Sequence, residues 1–453
     1  MLLRLTAIAL LLGMLAGPGG TSPARGAELP DSARTDSGRW GAWGAMPAPS
    51  DSTVLRIESS PTPGWAPLVL VPYRLVSLPF SLLRLGLEGG IRTWGRHDLP
   101  SLLGPYPLPG HLMAELEAGG LGGLGMGVDV KDVAGGQALR LGLRAALGGS
   151  REARLGLRGG QGRARLVLSA GHARRAALAY YGLGPESSAD DRSEYLQELN
   201  WGGLALELEP AARLELELSA TASGLAAYDR EGPAFAEATA ATGRSSGTAV
   251  GLRVVYDSTD QDGRPAHGGV VALKAARFFE SDEGLADFTH YRASIERFVG
   301  LWNSDQTLAL RAVTSWIEPE GDAPVAFTRL LAGENPDRQR GYPAGRWRDR
   351  GLALATAEYR WPVWAPSEAA SLGLDALLFS DVGQVFGHLD ALGDAIKTSW
   401  GGGLRLVGGG GDFSASLEIG HSDEGTRVAL QFDQHFQHAK GGLFHGEEAS
   451  VRH

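Results

Sequence analysis

Leu204-Ala-Leu-Glu-Leu-Glu209 and Arg213-Leu-Glu-Leu-Glu-Leu218 alternate apolar and charged residues strictly on either side of the short link Pro210-Ala211-Ala212. A period of two sends successive side chains to opposite faces of a pleated strand, so each segment is a strand with one oily and one charged face. So short a link cannot cross a sheet, and the two strands therefore pair antiparallel as a hairpin.

The same period recurs along most of the chain. Leu139, Leu141, Leu143, Ala145 and Leu147 oppose Arg140 and Arg144; Ala153, Leu155 and Leu157 oppose Glu152, Arg154 and Arg158; Ala164, Leu166, Leu168 and Ala170 oppose Arg163, Arg165 and Ser169. Further on, Val250, Leu252, Val254 and Tyr256 oppose Arg253 and Asp257, and Phe413, Ala415, Leu417 and Ile419 oppose Ser414, Ser416 and Glu418. A final segment sets Val428, Leu430, Phe432 and Phe436 against Arg427, Gln431, Asp433 and His435.

A soluble sandwich would also alternate, with its apolar faces turned toward a second sheet. The charged faces here carry Arg and Glu in numbers that suit a wet lumen better than a thin polar coat. Strands crossing a bilayer need about 9–11 residues, which several of these runs approach. The pattern therefore predicts an all-β transmembrane antiparallel β-barrel, with a non-barrel segment ahead of it. About sixteen strands fit between roughly residues 120 and 436, one of them at 326–333, an even number as single-chain bacterial barrels have.

Composition narrows the function. The 66 glycines show no collagen-like period and suit a curved sheet. With no cysteine there is no disulfide framework, thiolate metal site or cysteine nucleophile. A net charge of -10, without a basic tail or stripe, argues against nucleic acid as a partner. Ser, His and Asp occur, but no spacing singles out a catalytic triad, and the histidines are scattered or lie near the C-terminus, where surface positions explain them. Gly-x-Gly strings do not link a strand to a helix, so they are strand and turn glycines. No catalytic residue, cofactor or metal is expected.

Met1-Leu-Leu-Arg4 and the apolar run Leu5 to Gly17 form a signal peptide of residues 1–27, with cleavage after Ala24 or Ala27. Residues 28–66, rich in Gly, Pro, Ser and Asp, read as a flexible periplasmic lead. Residues 67–110 form a pre-barrel segment. Leu75, Leu78, Leu82 and Leu85 lie near helical spacing, giving either an amphipathic helix at the membrane surface or a loosely packed stretch. The barrel occupies 111–436 and a polar tail 437–453. The longer connections 173–191, 224–244 and 334–349 should be extracellular.

Four places between residues 180 and 383 resemble the outer-membrane assembly and secretion barrels that include BamA, TamA and the two-partner-secretion transporters, the bacterial surface antigen barrels. These are Tyr180-Tyr-Gly-Leu-Gly184 with Ser187 and Tyr195, Tyr256-Asp-Ser-Thr-Asp260 with Gly268-Gly269, Arg340-Gly341-Tyr342, and Phe379-Ser-Asp381-Val-Gly383 preceded by Glu358-Tyr-Arg360-Trp-Pro362. Their order and spacing over residues 180–436 carry the resemblance. It implies that the loop bearing Arg340, Gly341 and Tyr342 folds back into the lumen, where Arg340 meets Asp381 on the strand of Phe379 and Gly383, with Glu358 on the strand between. Alternation independently aims Asp381 at the lumen, because it shares a face with Phe379 and Gly383. Taken alone, Arg340 reads more readily as a solvated loop charge than as a lock. Phe432 and Phe436 fit the family's aromatic terminal-strand signal, although this chain continues past Phe436. Members carry POTRA domains before the barrel, and residues 28–110 have room for at most one, with no alternation of strand and helix.

The resemblance implies a barrel that inserts, assembles or exports polypeptide, or lipid, at the bacterial outer membrane. Its partners would be outer-membrane lipid, an unfolded or secreted polypeptide and a periplasmic partner. A seam between the first and last strands would present unpaired backbone to an incoming strand. The alternative is a passive solute channel or structural barrel. Opposed walls of Arg140, Arg144, Arg154, Arg158, Arg163 and Arg165 against Glu207, Glu209, Glu215 and Glu217 could set up a transverse field, or could pair and close the pore.

Overall fold

The computed structural model describes residues 106–108, 112–119, 123–131, 137–145, 149–231, 243–260, 264–301, 306–334, 337–364, 372–408 and 413–431. The expected leader, lead and polar tail lie outside the described residues, as do Phe432 and Phe436, and of the pre-barrel segment 67–110 only Tyr106–Leu108 is described.

Nearly all described residues are in strands: β1 (Tyr106–Leu108), β2 (Leu112–Gly119), β3 (Gly123–Lys131), β4 (Ala138–Ala145), β5 (Arg151–Gln161), β6 (Ala164–Tyr180), β7 (Ser193–Ala211), β8 (Leu214–Glu231), β9 (Arg244–Asp257), β10 (Gly268–Glu280), β11 (Phe288–Gly300), β12 (Thr307–Pro319), the short pair β13 (Leu331–Ala332) and β14 (Arg348–Asp349), then β15 (Gly351–Trp364), β16 (Leu372–Phe386), β17 (Lys397–Gly408), β18 (Phe413–Ser422) and β19 (Gly425–Gln431). Apart from β13 and β14, which pair with each other, these form one sheet in which each strand lies antiparallel to the next, β12 pairing with β15. In the succession of paired strands β1 and β2 stand at one end and β18 and β19 at the other.

The sheet is inside out relative to a soluble domain. Leu155, Leu168, Leu204, Leu218, Val250, Leu252, Leu273, Leu417 and Ile419 are all exposed, while Arg154, Glu207, Glu217, Arg253, Glu296, Arg311, Glu358 and Glu418 are buried. No water-soluble packing rewards this arrangement. A lipid-facing exterior does. Curl is required as well: the Arg346 side chain bonds both Ser187, in the β6–β7 connection, and Glu424, in the β18–β19 turn. Flat, those points would lie about nine strand spacings apart, roughly 40 Å.

The expected and observed strands differ in instructive places. Residues 326–333 are not a wall strand; they belong to the connection between β12 and β15, and their apolar side chains pack inside the sheet, with Phe327 and Leu331 buried. The strand β2 lies ahead of the first one expected, so the number of long strands is still sixteen. β6, β7 and β8 run further than expected, shortening the connection read as 173–191 to residues 181–192. Along this extension the outward face turns polar, with His172 opposite Asn200 at 2.8 Å and Arg174 opposite Glu198 at 3.8 Å. The inward face stays apolar through Ala173, Tyr195 and Leu199. These strands leave the apolar belt without ending, and the oily-out pattern stops before the ladder does. The hairpin turn after β7 centres on Ala212 and Arg213, Arg213 adopting φ 71°, while Pro210 stays in the strand beside an irregular register.

Candidate functional site: a loop held inside the barrel

Residues 320–350 leave β12 and cross to inner-face residues around the wall. Their route is set first by apolar packing. Phe327 meets Tyr180 and Tyr195 edge-on at 5.5 and 5.6 Å, and Tyr342 meets Trp347 at 4.6 Å, within a buried cluster that includes Phe278, Phe288, Ile317 and Leu354. Offset and edge-to-face rings of this kind hold geometry as well as area.

Below that layer the contacts are ionic. The Arg340 guanidinium donates to both Asp381 oxygens, Nε to Oδ2 at 2.9 Å and Nη2 to Oδ1 at 2.8 Å, and its backbone N–H donates to Oδ2 at 3.0 Å. Nη1 donates to Glu358 Oε2 at 2.7 Å, and Glu418 lies 3.9 Å away. The Phe379 ring lies against the guanidinium, 3.6 Å from its carbon to the centroid. Arg340 is 1% exposed and Asp381 0%, so the fork and the stack both act in a dry site, where such bonds are strongest. Burial alone would make Arg340 easier to deprotonate; Asp381, then Glu358, outweigh it and hold the group above the ordinary arginine range.

Two glycines permit this approach. Gly341 has φ +95°, left-handed backbone that a side chain disfavours. Its partner is Gly420 on β18, where a Cβ would lie 2.6 Å from the Gly341 nitrogen. Ser422 Oγ donates to the Gly341 carbonyl at 3.0 Å, and the Tyr342 hydroxyl meets the Thr398 carbonyl at 3.1 Å and Asp423 at 2.5 Å. Burial, then the bond to Asp423, raises the Tyr342 phenol above its usual value. Gly383 lies where a side chain would crowd Gln339, whose amide donates to the Lys397 carbonyl at 2.7 Å.

Further anchors were not anticipated from the sequence. Asp337 accepts two bonds from Arg292 of β11, at 2.5 and 3.0 Å, and one from Arg311 of β12 at 2.5 Å. Burial would raise this carboxyl, but the two guanidiniums hold it well below the usual range. Arg346 donates to Glu424 at 2.7 Å and to the Ser187 carbonyl at 2.7 Å. Arg348 donates to the Tyr195 hydroxyl at 3.0 Å and to the Phe327 carbonyl at 3.2 Å. Arg329 lies over the Phe278 ring and donates to Ser245 Oγ at 2.9 Å; burial pushes its guanidinium down to about 10 against the pull of Glu280 and Asp282.

The structure thus brings Arg340, Gly341, Tyr342, Glu358, Phe379, Asp381 and Gly383 into one place, and Tyr181, Ser187 and Tyr195 of the earlier motif meet the same loop through Arg346 and Arg348. The Tyr256–Asp260 motif sits apart, in the β9–β10 turn. The lumen charges pair between strands: Arg158 of β5 with Glu207 of β7, Arg165 of β6 with Glu209 of β7 at 2.6 Å, and Arg253 of β9 with Glu215 of β8 at 3.1 Å. His172, His267 and His421 each meet a neighbouring oxygen, of Asn200, Asp260 and Thr426.

A large antiparallel sheet, oily outside and ionic within, around an inward-folded loop defines an outer-membrane β-barrel. A family model, the Omp85 superfamily domain, matches residues 180–437, more than half of the chain, and the chain belongs to that superfamily. Among solved structures it is similar to BamA from Haemophilus ducreyi lacking POTRA domains 1-3, at 12% identity and a TM-score of 0.54, over 71% of this chain and 68% of that one. It is also similar to CdiB from Escherichia coli, at 13% identity and a TM-score of 0.50, over 72% of this chain and 63% of that one, so it spans less than two thirds of the latter. Comparison with curated protein sequences returned no match. The chain is an outer-membrane barrel of the Omp85 superfamily.

Proposed function

We propose that this barrel inserts or exports polypeptide, or lipid, at the outer membrane by mechanical means, with no catalytic step, and that Arg340, Gly341, Tyr342, Glu358, Phe379, Asp381 and Gly383 lock its plug. The observation that carries the reading is a buried guanidinium on a 31-residue connection, residues 320–350, forked to Asp381 on β16, while Arg346 of the same connection reaches Ser187 and Glu424. A standing solute pore would not be expected to hold a loop across its own lumen. A substrate then passes by displacing the plug or through the seam beside β19, where unpaired backbone can template a strand. Lipid, a secreted or unfolded polypeptide and a periplasmic partner are the partners this reading requires. Under it, residues 1–27 are a leader, 28–66 a periplasmic lead, 67–110 a pre-barrel segment and 437–453 a tail, and Phe432 and Phe436 close the terminal strand.

Purified protein in a planar bilayer tests the reading. Rare, brief openings that become frequent in Arg340→Gln are expected; a steady large conductance already present in the native protein would instead mark a passive channel. Because the chain has no cysteine, a single engineered disulfide between β2 and β19 tests the seam, and unchanged function with the bond closed would reject lateral passage.

A further inference from the structure

The β9–β10 turn lies at the end of the wall opposite the plug loop, since β9 ends there at Asp257 and the loop leaves from the other end, at Pro319. The described part of the turn is tightly built. Asp260 accepts from the Ala266 amide at 3.0 Å and meets the His267 ring at 3.1 Å, and Ser258 Oγ donates to the Gly269 carbonyl at 2.9 Å. From it Arg264 reaches to Asp375 on β16, several strands further round the sheet.

Asp375 also accepts from Arg405 of β17 at 2.9 Å, and Arg405 lies 3.7 Å from the Glu358 oxygen that accepts from Arg360 at 2.7 Å. Glu358 in turn holds Arg340 at 2.7 Å. Arg264, Asp375, Arg405, Glu358 and Arg340 therefore form an unbroken series of alternating charges from the turn at one mouth to the plug lock. Asp375, Arg405, Glu358 and Arg340 are each at most 4% exposed, so water screens the series poorly.

Resting on the lock reading above, we propose that this series regulates the plug from the opposite mouth, and that it does so with a defined sign. Asp375 and Glu358 compete for Arg405. Removing the positive charge of Arg264 leaves Asp375 to draw Arg405 toward itself, which frees Glu358 for Arg340 and tightens the lock. Removing the negative charge of Asp375 releases Arg405 onto Glu358, which loosens Arg340. The two members of one ion pair thus push the plug in opposite directions. A merely structural pair would weaken the barrel in the same direction from either side. An anionic group that captured Arg264 at that mouth would act as the first change does.

The test uses full-length barrel in planar bilayers, with a spin label at Ala344→Cys, an exposed position on the plug loop, and heat-modifiable gel migration to verify folding. Asp375→Asn should raise opening frequency and label mobility by about 5-fold or more, the lower end of ordinary coupling between sites. Arg264→Gln should lower both, the double variant should return toward the native value, and Arg264→Lys should leave both unchanged. Arg264→Gln and Asp375→Asn moving together, or folded Arg264→Gln moving neither readout, would overturn the proposal. Arg340→Gln separates the two readings: if it fails to open the barrel, the lock itself is wrong; if it opens while Arg264→Gln is silent, only the coupling is wrong.

Discussion

The plug loop carries a base and an acid close together, Arg340 and Asp337, and the wall receives them in opposite polarity and at different depths. Arg340 enters an acidic socket made by β15, β16 and β18, where Asp381 and Glu358 are at most 2% exposed. Asp337 enters a basic socket made by β11 and β12, where it is 11% exposed, Arg292 26% and Arg311 4%. The attraction between unlike charges is common to both. What differs is how much water remains to soften a broken pair, and that makes the first socket the harder one to empty.

The largest effect should come from emptying it. Arg340→Gln or Asp381→Asn strands a buried charge and should destabilise the folded barrel by about 3–5 kcal/mol, read by urea titration of heat-modifiable migration. Arg340→Lys should recover only part of this, since a point charge cannot fork to Asp381 or stack on Phe379. If all three behave alike, the fork and stack are irrelevant to the hold.

Asp337→Asn tests the shallower socket and should lose about 1.5–3 kcal/mol, as for a hydrogen bond to a charged group. Equal loss at Asp337 and Arg340 in the same titration would erase the distinction drawn between the sockets. Acid provides a second probe. The folded-state pKa of Asp337 is depressed, so its contribution is present above the unfolded value of about 3.9 and is lost as pH falls through the lower folded value. A label at position 344 should stay immobile from neutral pH to about 5, and early loosening would contradict this socket. Tyr342 has the opposite sign: its phenol is raised, so its contribution holds below about 10 and fades as pH climbs through the folded value.

Smaller still, Tyr342→Phe removes the hydroxyl from Asp423 and Thr398 and should lose about 1 kcal/mol in the same titration. Smallest, Arg174→Ala breaks an exposed 3.8 Å pair with Glu198 and should change stability by about 0–1 kcal/mol. A larger loss there would mean the outer extension of β6 and β7 bears load.

Most of the wall was legible because lipid outside and ions inside impose a period of two on the sequence. The alternation of Ala114, Leu116 and Ala118 with Glu115 and Glu117 carries the same signal for β2, which lies just ahead of the first strand expected from about residue 120. Residues 326–333 misled because a loop packed inside a barrel needs apolar side chains as much as a strand does. Of the two sockets, only that of Arg340 was visible, and through resemblance to a family, since the partners of Arg340 occur within recognisable motifs. Asp337 meets arginines 45 and 26 positions earlier in the chain, and nothing local distinguishes it from a solvated loop acid. The ion series behind the lock was hidden for the same reason: Arg264 and Asp375 are 111 positions apart.

The order in which the chain is made has a consequence for the plug. Every acid that receives Arg340, namely Glu358, Asp381 and Glu418, lies C-terminal to it. While the polypeptide is still emerging, the cation has no mate, and a nascent product stopped at residue 350 would carry it bare. The full set of partners exists only once the β18–β19 hairpin, which carries Ser422, Asp423 and Glu424 to the loop, has been made.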